Sequence, residues 1–200
     1  MLEHRIQTHF IESADLQYQA AEPLSKPIAA ATHAVLASVT SGGKVLACGS
    51  AGGAAQARYF AAQLVGRFDR DRPGLPALAL DGDSMALAVA ADGPHAAPQV
   101  LARQVRALGQ AGDVLLVLCP DGNTQQALDA VAAAHGRDMT VVAFSGKDGA
   151  RMGAALRETD VHIGVPHERL VRIQEVHLLA LHCICDGVDT QLLGEQEIPT

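Results

Sequence analysis

The sequence predicts an α/β protein: a five-stranded parallel sheet with helices on both faces, preceded by N-terminal helices. Three observations predict it. From residue 44 onward, short apolar runs alternate with segments of helical spacing. The run DVLLVL at 113–118 is apolar almost throughout, as strands buried on both faces are. The stretch 44–63, KVLACGSAGGAAQARYFAAQ, passes from strand through a glycine turn into a helix without a gap.

In chain order, Leu2, Ile6 and Phe10 recur every four residues and place an apolar stripe on a helix reaching about residue 21. Pro23 and Pro27 then restart a second helix that runs to about residue 39, because proline lacks the amide hydrogen a helix interior needs. This N-terminal pair (1–41) either supplies a subunit contact or folds back on its own domain. A strand at 44–48 leads to a helix at 54–68 and a short strand at 77–80. DGDS at 81–84 caps a stretch carrying Met85 and Leu87, and ADGPHAAP is a loop with His95 as a solvated side chain. A helix at 101–108 precedes the central strand at 113–118. CPDGNT then turns into a helix at 125–134, followed by a strand at 139–144, a short helix at 152–156 and a strand at 161–165. A long helix from 168 to about 188 and a tail at 189–200 complete the chain.

Glycine lets a backbone approach a ligand closely, and a helix start presents unpaired N–H groups with the positive end of its dipole. The turn at 49–53 is therefore either an anion cradle or simply a turn that packs helix on strand. It matches neither GxxxxGK[ST] nor GxGxxG, which argues against a nucleoside triphosphate or NAD. In parallel sheets ligands bind beyond the carboxyl ends of the strands, so GSAGG and CPDGNT read as two walls of one crevice.

Two hundred residues at 48% hydrophobic suffice for one domain. With 15 Lys and Arg against 22 Asp and Glu, the net charge of −7 argues against direct binding to nucleic acid or an anionic membrane. The N-terminus lacks the pattern of a signal peptide and no run of about 18 apolar residues could span a bilayer, so a cytoplasmic location is expected. Cys48, Cys119, Cys183 and Cys185 form no CxxC pair and read as small buried hydrophobes.

The segments GSAGGAAQARYFAAQL, RPGLPALAL, RQVRALGQAGDVLLVL, DGNT, VVAFSGKDG and RIQEVH, in this order, resemble the sugar isomerase (SIS) family. The likeness is to its phosphoheptose isomerase branch and the related DiaA-type initiator-associating proteins. It implies phosphosugar-binding loops and a homotetramer in which N-terminal helices pack together. It also implies a serine for phosphate and a His and Glu for metal and proton transfer, in a motif similar to GNGGSxxxAxHFAEEL. Here those positions are Gly53, Tyr59 and Gln63. A neutral Gln is no carboxylate base, and Tyr replaces the imidazole of a zinc site. Gln174 and His182 match the family's remaining Gln and His; His182 reads as a packed or hydrogen-bonded histidine, and His177 as a surface or interface group. The phosphate cup is degenerate at Ser50, Gly52, Gly53, Asp121, Asn123 and Thr124, since Pro120 removes a donor and Asp121 adds a negative charge.

On these replacements the resemblance implies a non-catalytic scaffold of the DiaA type that binds several copies of the replication initiator DnaA and promotes their assembly at the origin by multivalency. Leu192 and Leu193 would contact that partner, or dock the tail on the protein's own surface. No catalytic residue, metal or cofactor is expected under this reading. The alternative is a phosphoheptose isomerase converting sedoheptulose 7-phosphate to a heptose 7-phosphate with zinc, or a phosphosugar-sensing regulator.

Overall fold

Strands that are apolar on both faces must be covered on both, and the chain does this with two sets of helices. A computed structural model describes residues 1–81, 99–146 and 149–195. The helices are α1 (Leu2–Thr40), α2 (Gly52–Val65), α3 (Val100–Leu108), α4 (Gln125–His135), α5 (Ala150–Ala155) and α6 (Leu170–Leu193). The strands are β1 (Val45–Gly49), β2 (Ala77–Ala79), β3 (Val114–Leu118), β4 (Thr140–Ser145) and β5 (Val161–Gly164). They form one parallel sheet in the order β2-β1-β3-β4-β5, with β3 at its centre as predicted.

Because side chains alternate along a strand, the sheet divides the core into two layers. Val45, Ala47, Val114, Leu116 and Leu118 face α1, α2 and α6, against Leu24, Val35, Phe60, Leu64 and Leu181. Leu46, Cys48, Leu115 and Val117 face α3, α4 and α5, against Leu101, Val105, Ala130 and Met152. Asp113 fastens the start of the sheet: it is buried, and accepts from Lys44 Nζ at 2.6 Å, Lys44 N at 2.9 Å and Gln110 N at 2.8 Å.

Four expectations are corrected. The N-terminal pair is one 39-residue helix that runs through Pro23 and Pro27. Pro23 is exposed, so the carbonyl its ring leaves unpaired can turn to water, while Leu16, Ala20, Leu24, Ala31 and Val35 bury the opposite face. Packing against α6 thus overrides the local break. The last helix does not stop at 188 but reaches Leu193, because Asp189 is buried and paired with Arg72. Cys183 is exposed, whereas Cys48, Cys119 and Cys185 are buried. His177 is fully buried, on the face of α6 that meets the sheet. The DGDS cap, Met85, Leu87 and His95 lie outside the described residues. Among the described residues no helix is long and apolar enough to cross a membrane.

Candidate functional site

Gly49 closes β1 directly opposite Leu118, the end of β3, so the two following turns emerge side by side. Ser50 N donates to Leu118 O at 2.9 Å and zips them together. Between the turns lies a cleft of 340 Å³ with Ser50 and Ala51 on one wall and Pro120, Asp121 and Thr124 on the other. Gln174 of α6 closes it. GSAGG and CPDGNT therefore do form one crevice.

The first wall is tightly constrained. Ala51 holds φ 48° and ψ −128°, a conformation that suits glycine and strains any residue with a Cβ. Replacing Ala51 with Gly is expected to stabilise the fold by about 1 kcal/mol in chemical denaturation, the relieved strain outweighing the extra unfolded-state freedom. A Cβ on Gly53 would stand 2.5 Å from Leu118 O and 3.0 Å from Leu118 Cβ. The serine of the related motif therefore cannot be restored without moving α2 away from β3. Gly53→Ser is expected to destabilise by roughly 1–3 kcal/mol and to gain no phosphate affinity, measured by denaturation and calorimetry.

The second wall is organised by Asp121. Its carboxylate accepts from Cys119 Sγ at 3.1 Å, from Asn123 N at 3.1 Å and from the Thr124 hydroxyl at 3.2 Å. Burial raises its pKa, but the bonds from Cys119, Asn123 and Thr124 together outweigh that and hold the carboxyl below its usual range. The hydroxyl kept in this turn is thus already committed to a carboxylate of the same loop. Burial drives the Cys48 thiol up to about 12, and burial followed by its bond to Asp121 raises Cys119. Neither is a thiolate nucleophile at neutral pH.

The remaining residues fall in two places. Gln174 lies over Gly52, its Nε2 2.6 Å from where a Cβ would be, and its backbone carbonyl accepts from Gln56 Nε2 at 2.7 Å. His182 stands eight residues further along α6, roughly 12 Å at 1.5 Å per residue. It sits on the seam with α2, where its Nε2 is 3.0 Å from the Tyr59 hydroxyl and its ring meets Tyr59 and Phe68 at 5.6 Å. Gln63 enters through its backbone carbonyl, which accepts from Arg72 at 3.0 Å. Sequence reasoning missed Gln126 and Leu170, which line the cleft, and Gln56, which holds the backbone of Gln174. Gln126 was findable, since it falls in the first turn after CPDGNT, but Gln56 and Leu170 look like ordinary helix positions.

The zinc implied by the isomerase resemblance does not fit these residues. The matching positions supply one imidazole, already bonded to a phenol, and two amides, a donor set that zinc does not favour. Among the described residues no three His, Cys, Asp or Glu converge as a metal group. Leu192 and Leu193 lie in the last turn of α6 and not in a free tail, 38% and 40% exposed, and Arg70 donates to Gly194 O at 2.7 Å just beyond.

A parallel sheet with a glycine turn and a polar turn facing each other at its carboxyl edge is the architecture of a sugar-isomerase-type domain. The chain belongs to the SIS domain family, whose model matches residues 9–146, and to its phosphoheptose isomerase branch. It is 58% identical over 198 residues to the phosphoheptose isomerase of Methylibium petroleiphilum, covering 99% of this chain and 98% of that one. It is 48% identical to the phosphoheptose isomerase of Aromatoleum aromaticum over 97% of this chain and 98% of that one. The solved phosphoheptose isomerase of Neisseria gonorrhoeae superposes with a TM-score of 0.88 at 41% identity, over 95% of this chain and all of that one.

These likenesses overturn the expectation of a non-catalytic DnaA scaffold. That expectation rests on a few motif positions, whereas identity at 58% spans nearly both full lengths, and the relatives so matched are named as isomerases.

Proposed function

We propose that the cleft takes a phosphorylated sugar and that the chain catalyses the reaction its relatives are named for, interconverting sedoheptulose 7-phosphate and a heptose 7-phosphate. The observation that carries this is the 58% identity over 198 residues to a phosphoheptose isomerase. A volume of 340 Å³ lies in the range of small-molecule pockets. Ser50, Gln126 and Gln174 offer a hydroxyl and amides for the sugar's hydroxyl groups.

Gln63 and Tyr59 favour a second reading, in which the sugar phosphate binds without turnover and reports its own level. Aldose–ketose isomerisation moves a proton between neighbouring carbons, and among the described residues Asp121 is the carboxylate that lines the cleft. Incubating the purified chain with sedoheptulose 7-phosphate and following the aldose by NMR separates the two. Turnover of about 1 per second or faster supports the isomerase. A raised melting temperature without turnover supports the sensor, and no binding at all sinks both.

The same reading includes a homotetramer assembled through α1 and a cytoplasmic location. Leu2, Ile6 and Phe10 of α1, one stripe of the helix, are 71%, 47% and 75% exposed in the single chain, an apolar face that wants covering. A monomeric mass in solution would refute the assembly.

A further inference from the structure

Asp121 occupies an unusual position: it stands just before the N-terminal end of α4, where unpaired N–H groups and the helix dipole favour an anion. Donors of this turn, among them the hydroxyl of Thr124 that lines the cleft, are already turned onto its carboxylate, while the Cys119 thiol reaches it from the buried side. Cys119 Sγ, Asn123 N and the Thr124 hydroxyl all lie within 3.2 Å of it. The loop cannot easily carry the carboxylate aside. Gly122 sits at φ +64° with its α-carbon so close to Gly149 that a Cβ would lie 2.2 Å from the Gly149 α-carbon. Nearby, the Arg151 guanidinium is held by Asn123 O and Gln125 Oε1, both at 2.9 Å. Asp121 is itself exposed to the cleft, so a ligand meets it directly.

We propose that Asp121 is the specificity-determining residue of the cleft: its carboxylate is a built-in anion that competes with an external phosphate for the same donors, so the wild-type cleft favours the sugar and disfavours the dianion. The proposal rests on the sugar-phosphate reading of the cleft and names the residue that sets how strongly the phosphate is held. A dianion beside a fixed carboxylate is repelled, while removal of that one charge lifts the repulsion and leaves the hydroxyl and the helix end to act on the phosphate. Asp121→Asn keeps the size of the side chain, and Asp121→Ser replaces it with a neutral hydroxyl.

The test is calorimetry on the full chain at pH 8 with inorganic phosphate, sedoheptulose 7-phosphate and unphosphorylated sedoheptulose. Both variants are expected to bind phosphate about tenfold more tightly than wild type, the size of one screened charge repulsion. Affinity for the neutral sugar should change by less than the phosphate affinity does. Phosphate binding no tighter in either variant overturns the proposal. So does a wild-type chain that binds inorganic phosphate more tightly than about 10 μM, a measurement that needs no variant to fold. Tightened phosphate with no preference for the heptose phosphate in any form would leave Asp121's role intact and refute the substrate reading. Heptose phosphate turned over by a chain whose phosphate affinity ignores Asp121 would do the reverse.

Discussion

Replacing Arg72 with Met is expected to destabilise the folded chain by about 3–5 kcal/mol, the usual cost of leaving one partner of a buried ion pair alone. Arg72 and Asp189 are 1% and 2% exposed. Asp189 already has one buried oxygen, Oδ2, without a partner. Arg72 also donates to Leu64 O at 2.8 Å and Gln63 O at 3.0 Å, satisfying carbonyls at the end of α2 that no helical amide reaches. The guanidinium therefore ties the segment after α2 to the last turns of α6. At about 2–4 °C per kcal/mol for a chain of this length, the melting temperature should fall by roughly 6–20 °C. Asp189→Leu should cost a similar amount, and the double variant much less than the sum, because neither charge is then left unpaired. A single Arg72→Met variant that melts within a few degrees of wild type would remove the pair from any account of stability.

Stability should also fall as pH drops from about 6.5 to about 4, and His177 is the reason. Its Nε2 faces the Ser145 carbonyl at 3.2 Å, so that nitrogen carries the proton; Nδ1 is buried without a partner, and the ring edge meets Phe144 at 5.3 Å. Burial is the main cause that lowers its pKa, from 6.5 to about 4, against a smaller opposite effect of the bond to Ser145. The sign follows from proton uptake. Between those two values the unfolded chain is protonated at this residue and the folded chain is not, so acid favours unfolding there. The loss is fully expressed below about 4, is absent above about 6.5, and amounts to roughly 3 kcal/mol at 1.36 kcal/mol per pKa unit. His177→Gln, which cannot titrate, should flatten that part of the curve. If the slope of unfolding free energy against pH in this window is the same in both proteins, the histidine is not responsible.

Much of the fold was legible. Every strand expected from 44 onward is present within a residue or two, because a buried parallel strand is nearly pure apolar sequence and is set off by glycine and charged turns. The crevice was legible too, since its walls are the turns that follow two adjacent strands. Pro23 and Pro27 misled, because a proline on the outer face of a long helix costs only what its packed face can offset. His177 looked like a surface group because three residues from Gln174 fixes a helical offset, but not which neighbour covers it. The functional class was misjudged for a related reason. Tyr59, Gln63 and Gly53 point to the loss of a task, while 58% identity over 198 residues to a phosphoheptose isomerase points the other way.

What the sequence determined by itself is periodic and local: the alternation of strand and helix, the glycine turn, and the side chains present at each motif position. What only the tertiary structure decided is where charges and polar atoms end up. Asp121 became the anion of its own turn, Arg72 and Asp189 became a buried pair, and His182 met Tyr59 away from Gln174. The physical reason is that periodicity depends on neighbours in the chain, whereas desolvation and hydrogen bonding depend on neighbours in space, which can lie more than a hundred residues apart, as Arg72 and Asp189 do.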